Sequence, residues 1–310
     1  MKHKIILFIA ICFLLVNRLG AQDLRTGLVA YYPLDTDFLD YSGNTLNPTV
    51  FGDPQPAPDR HGNINSAYYF NGVSDYLMVD NDPLICPPYV TISAWFKADG
   101  NRQYGRLIEK RHNVPAYPWS SYLLQYSRDY HMATSQMTIE GTRSVLDSDF
   151  TADSNSWHLM TATYDGGSYK LYLDGLLSGS EARTGNITYT SMPLFIGTCH
   201  QNANNIYNFS GALDDIRIYN RALTAGEILA LYDLPPLGST VVEVQYIEGQ
   251  VQLSWNPVPN ASRYKIYSSV DPFAVFPDAW ILETDDVSST SWLDSTASEE
   301  KKFYNVITVN

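Results

Sequence analysis

Phe209-Ser-Gly-Ala-Leu-Asp-Asp-Ile-Arg-Ile-Tyr-Asn-Arg-Ala-Leu-Thr-Ala-Gly-Glu-Ile-Leu-Ala-Leu-Tyr232 carries three local signals in one run. A turn leads into a short alternating strand, Leu213 to Tyr219, and a helix follows. Thr224 and Glu227 form a capping-box pattern, and Leu223 with Ile228 forms a hydrophobic staple across the helix start. Ile228, Leu231 and Tyr232 share one helical face. Pro235-Pro236 cannot continue a helix and marks a linker. In a regular strand, Asp214 and Asp215 point to opposite faces.

Upstream, short β-rich runs alternate with turn residues, the pattern of an all-β sandwich. Leu28-Val-Ala-Tyr-Tyr32 opens the series, followed by the turn Asp40-Tyr-Ser-Gly-Asn44. In Val90-Thr-Ile-Ser-Ala-Trp-Phe96, Ile92, Ala94 and Phe96 share one face and Trp95 takes the other. The clearest hairpin joins Trp157–Tyr164 to Tyr169–Leu173 through Asp165-Gly-Gly167, whose glycines accept positive φ. Tyr169, Leu171 and Leu173 form its core side.

The ordered motifs from about residue 27 to 233 resemble bacterial laminin-G-like jelly-roll domains of the concanavalin A-like lectin/glucanase superfamily. The resemblance implies an all-β jelly-roll sandwich over 22–233, used outside the cell more for binding sugars or proteins than for chemistry. Beyond a linker at 234–239, residues 240–310 resemble a fibronectin type III domain, a smaller β-sandwich. Trp255 matches its core tryptophan, Tyr264 and Ile266 its third strand, and Tyr304 its sixth.

The first 21 residues read as a secretory signal peptide. Lys2 and Lys4 precede the apolar run Ile5 to Val16, and Leu19-Gly20-Ala21 supplies a small-residue cleavage site. A spanning helix needs about 20 apolar residues, and this run has twelve. The expectation is a secreted or cell-envelope protein with no transmembrane segment after cleavage. Processing removes three of the 20 basic side chains and none of the 33 acidic ones, so the net charge falls from −13 to −16. That surface disfavours nucleic acid and anionic lipid as partners. Cys12 leaves with the signal. Export then permits a Cys86–Cys199 disulfide, with two separate thiols as the alternative.

Catalytic patterns are absent from the sequence. No Glu-x-Asp-x-Glu run supplies the paired carboxylates of glycoside hydrolysis; Glu109, Glu140 and Glu181 stand alone. No zinc-ligand spacing and no nucleophile elbow occur. The favoured function is a non-catalytic binding or adhesion protein recognising carbohydrate or a cell-surface glycoprotein. The alternatives are an accessory or degenerate carbohydrate-active enzyme and a structural envelope protein that self-associates.

Two sites follow as expectations. Tyr117 and Trp119 form a loop-placed aromatic pair able to stack on sugar rings, with Arg111 assisting; Trp119 packed against the linker is the other reading. The jelly-roll resemblance also implies a structural calcium ion at Asp40, Asn44 and Asp214, oxygen ligands of the kind calcium takes. The alternative is that Asp40 and Asn44 build an Asx-type turn and Asp214 pairs with an arginine.

Overall fold

The structure is a computed structural model that describes residues 24–100, 104–112, 120–199, 207–232, 242–247, 250–255, 263–270, 281–295 and 303–309. The chain divides into two compact units, Met1–Asp233 and Leu234–Asn310. The segments expected to be a signal peptide (1–21) and a linker (234–239) lie outside the described residues. Among the described residues no helix is long and apolar enough to cross a membrane.

The first unit is a sandwich of two antiparallel sheets. One contains β1 (Leu28–Tyr32), β3 (Gln55–Ala57), β4 (Ala67–Asn71) and β6 (Val90–Ala98). It is completed by β11 (His158–Tyr164), β12 (Ser168–Leu173), β13 (Leu176–Ala182) and β15 (Ser210–Tyr219). Their order is β13-β12-β11-β6-β15-β4-β3, with β1 also paired to β15. The facing sheet contains β2 (Thr49–Phe51), β5 (Tyr76–Val79), β7 (Tyr104–Arg111) and β8 (Ser120–Ser127). Its other strands are β9 (Met132–Ile139), β10 (Thr142–Thr151) and β14 (Leu194–Ile196), in the order β10-β9-β8-β7-β14-β5-β2.

Alternation decides what faces the core. Val90, Ile92, Ala94, Phe96 and Ala98 of β6 all enter it, as do Leu213, Ile216 and Ile218 of β15. Phe96 meets Tyr126 of the opposite sheet with ring centroids 5.5 Å apart. The hairpin forms in the expected register, Tyr164 opposite Tyr169 and Met160 opposite Leu173. Tyr169, Leu171 and Leu173 line the core.

The helix α1 (Ala225–Tyr232) is capped reciprocally. Thr224 N–H donates to Glu227 Oε2 at 2.7 Å, and Glu227 N–H donates to Thr224 Oγ1 at 3.2 Å. Leu223, Ile228 and Leu231 are buried. Tyr232 stacks on Trp95 at 5.5 Å, so the helix covers part of the outer face of the eight-stranded sheet.

The second unit contains two antiparallel three-stranded sheets among its described residues. One is formed by β16 (Val242–Ile247), β17 (Gln250–Trp255) and β20 (Ser291–Asp294). The other is formed by β18 (Arg263–Ser269), β19 (Ile281–Val287) and β21 (Phe303–Val309). Leu253 and Trp255 from the first sheet pack with Tyr264, Ile266 and Val306 from the second. Tyr304 donates to Asp294 Oδ2 at 2.6 Å.

Candidate functional site

The outer face of the eight-stranded sheet, beside the part covered by α1, holds an open cavity of about 510 Å³. Strand register places its floor. Lys97 of β6 lies opposite Ala212 of β15, Ala212 opposite Tyr69 of β4, and Tyr69 opposite Gln55 of β3. On the other side of Lys97, Trp157 stands one residue beyond the ladder pair His158–Phe96. Trp157, Lys97, Ala212 and Tyr69 therefore form one transverse row, and all four line the cavity. With strands about 4.8 Å apart, the two aromatic positions are separated by roughly 14 Å.

Each member of the row is held by local structure. The alternation that sends Phe96 and Ala98 into the core sends Lys97 outward. Ala212 is small and leaves space between its larger neighbours. Tyr69 Oη donates to Asp99 Oδ2 at 2.6 Å, and Ser210 Oγ donates to the same oxygen at 2.7 Å. Trp157 is positioned through its neighbour His158, whose Nδ1 lies 2.8 Å from Asp174 Oδ2 and whose Nε2 lies 3.2 Å from Asp153 Oδ1. Burial alone would lower the His158 pKa, but Asp174 and Asp153 together raise it.

The wall opposite Trp157 is the turn after β3. Asp59 folds it by accepting the His61 and Asn63 N–H groups at 2.8 Å each and the Asn63 side-chain amide at 2.9 Å. Arg60 reaches from this turn across the sheet. Its guanidinium sits 4.7 Å over the Trp95 ring and 2.9 Å from both Asp214 and Asp215. Arg217 meets Asp215 at 2.9 Å and lies 4.2 Å over the Tyr31 ring. This corrects the expectation that Asp214 and Asp215 face opposite ways. A β-bulge interrupts the β15–β6 register between residues 214 and 217, and Asp215 takes φ 49°, which turns both carboxylates to one guanidinium.

Asp35 shares this electrostatic neighbourhood. Burial, helped by Asp215 and Asp59, pushes its carboxyl up to about 7. Burial and Asp215 likewise raise Asp214, while Arg217 and Arg60 outweigh burial at Asp215 and hold it low. A carboxyl raised in the folded state costs stability only where it must ionise. The cost of Asp35 is absent below about pH 4, grows as pH rises and is complete above about pH 7. Asp35→Asn therefore raises the melting temperature at pH 8, by an amount equivalent to about 1 kcal/mol given the residue's partial exposure. The gain fades at pH 4. Melting curves at pH 4, 6 and 8 check this; a gap that does not widen with pH would contradict it.

The residues expected from the sequence to bind calcium are each engaged within the protein. Asp40 Oδ1 accepts the N–H groups of Tyr31 and Ser42, and Oδ2 accepts Leu46 N–H and Ser42 Oγ, all at 2.9 Å. Asn44 donates to the Val29 carbonyl at 2.9 Å. Asp40 and Asn44 thus tie their turn to β1, and Asp214 is paired with Arg60. Both Asp40 oxygens are already bonded to donors, and Asp214 Oδ2 is committed to a guanidinium. Among the described residues no three His, Cys, Asp or Glu side chains gather as a metal site.

The Cys86–Cys199 disulfide is not made. Neither cysteine is bridged: Cys86 is half-buried beside Asn81, and Cys199 is buried just after β14. Of the expected stacking site, Tyr117 and Trp119 lie outside the described residues. Arg111 is buried on β7 and engaged with Glu109 Oε1 at 2.9 Å. Glu109 also accepts Ser120 Oγ at 2.6 Å and has Arg106 3.5 Å away, so its partners are cations and a hydroxyl.

Two packed antiparallel sheets with an open groove on one outer face define a jelly-roll domain of the lectin type. The chain belongs to the concanavalin A-like lectin/glucanases superfamily: the laminin-G-like family model matches residues 71–229, just over half of the chain. No curated protein matches it in sequence. Among solved structures, it is similar to domain 4 of AbnA, an extracellular arabinanase from Geobacillus stearothermophilus, determined in complex with arabinotriose. That likeness has a TM-score of 0.52 at 18% identity and covers 66% of this chain and 98% of the other. The binding domain of Paraclostridial Mosquitocidal Protein 1 gives 0.55 at 17% identity, covering 90% and 70%. The botulinum neurotoxin serotype C1 binding domain gives 0.55 at 14%, covering 84% and 70%. At these identities the likeness establishes the fold.

Proposed function

We propose that this is an exported, non-catalytic carbohydrate-binding protein whose first unit holds an oligosaccharide in the groove. The second unit acts as a fibronectin type III-like spacer. The observation that carries the reading is the transverse row Trp157–Lys97–Ala212–Tyr69 beneath the cavity. It offers an aromatic side chain at each end and the Lys97 amine between, the composition of a site that stacks sugar rings and bonds their hydroxyls. The separation of the aromatics suits a chain of sugars better than a single ring. The arabinotriose bound to a domain of similar fold supports the same class of ligand.

Binding without catalysis is supported by the state of the groove carboxylates. Asp59 accepts donors that fold its turn, and Asp99 accepts two hydroxyls. Hydrolysis needs a carboxyl pair at a set separation, with one able to donate a proton to the leaving group. Neither Asp59 nor Asp99 is presented for that task.

Trp157→Ala is the test. A tryptophan that stacks on the ligand is worth about 2 kcal/mol or more on truncation, roughly thirtyfold in Kd. Titration calorimetry against oligosaccharides selected from a glycan array should show that loss with an unchanged melting temperature. The result should be the same in calcium or chelator, because the groove recruits none of Asp40, Asn44 and Asp214. A variant that binds as tightly as the parent would place the sugar site elsewhere.

A further inference from the structure

Four charged side chains line the groove besides its aromatics, and three are engaged within the protein. Asp59 is bonded to its own turn, Asp99 to Tyr69 and Ser210, and Arg60 to Asp214 and Asp215. Lys97 is different. Among the described residues its ammonium makes no ion pair and no hydrogen bond, although it stands in the floor between Trp157 and Ala212. Ala212 is too short to cover it, so the charge faces the cavity.

We propose that the groove selects a saccharide bearing a carboxylate, with Lys97 pairing with the acid while Trp157 stacks on the sugar ring. This rests on the groove being the sugar site. A lysine amine offers three donors and a point charge, and its pairing with a carboxylate is a charge-assisted contact stronger than a bond to a neutral hydroxyl. The net charge of −13 works in the opposite sense for highly charged chains, because a polyanion meets a repulsive field along its length. One carboxylate on an otherwise neutral chain keeps the local attraction and avoids most of that repulsion. The ligand class is therefore a neutral oligosaccharide carrying a single acidic sugar, either a uronic acid branch or a terminal sialic acid.

A glycan array that pairs neutral oligosaccharides with the same glycans bearing one uronic or one sialic acid tests this, with calorimetry on the best pairs. The parent should bind the acidic member at least about tenfold more tightly than its neutral partner. The arm that responds identifies the source of the acid. Lys97→Gln should abolish the preference for the acidic member of each pair while leaving the melting temperature in place, and Lys97→Arg should retain it. Equal binding of acidic and neutral partners by the parent, or a preference that survives in Lys97→Gln, overturns the assignment. If neutral sugars still bind and lose affinity in Trp157→Ala, only the acid preference has failed. If no glycan of either kind binds, the groove is not a sugar site and both readings fall together.

Discussion

Replacing Arg217 with methionine should lower the stability of the first unit by about 3 kcal/mol, roughly 6–12 °C in Tm for a domain of this size. The side chain is buried, holds Asp215 at 2.9 Å and stacks on Tyr31 at 4.2 Å. Methionine fills much of the same volume, so packing changes little. What changes is charge. Asp35, Asp214 and Asp215 would share the single guanidinium of Arg60, leaving acid uncompensated in a site that water barely reaches. Asp215→Asn added to Arg217→Met should restore most of the loss, because removing both partners is far less costly than removing one. Thermal melts of parent, single and double variants at pH 7 check the pair. A double variant no more stable than the single would show that Arg217 acts through shape, not charge.

Gly211→Ala should cost at least about 3 kcal/mol or prevent accumulation of folded protein. Gly211 has φ +143°, a region that L side chains seldom enter, and an added Cβ would stand 2.2 Å from the Lys97 carbonyl oxygen and 2.9 Å from Ala98 Cα. Backbone strain and backbone collision add, each worth about 1–3 kcal/mol. No side chain can swing aside to relieve the contact. Gly62 supplies the comparison: its φ is +84°, but a Cβ there meets nothing within 4 Å. Gly62→Ala should therefore cost only the left-handed backbone term, about 1 kcal/mol. Similar losses at the two positions, read from urea denaturation, would remove steric exclusion at Gly211 as the cause.

The sequence makes structure legible where the physics is local. The Thr224–Glu227 cap, the Asp165-Gly-Gly167 hairpin and the inward row of β6 depend on neighbours within a few residues. The groove depends on neighbours far apart in sequence. Tyr69, Lys97, Trp157 and Ala212 come from four strands or their margins and meet only through register, which no single segment encodes. Trp157 was visible as the start of a hairpin, and its site role appears only once Lys97 lies beside it. The Asp214–Asp215 reading assumed regular alternation, and one bulge reverses it. Asp40 and Asn44 illustrate a different ambiguity: the same oxygen-rich turn suits a cation or its own backbone, and here backbone N–H groups take the Asp40 oxygens while Asn44 donates to the Val29 carbonyl.

The place of β15 in its sheet has a consequence for how the chain is made. This strand pairs with β1, β4 and β6 together, and Leu28 at the start of the unit pairs with Tyr219 near its end. Until residues 210–219 have emerged from the ribosome, three earlier strands lack their shared neighbour and the larger sheet cannot close. Contacts of such long sequence separation form late and slowly. The larger sheet of the nascent first unit therefore stays unclosed for most of its synthesis, with strand edges and apolar faces exposed to aggregation until β15 arrives.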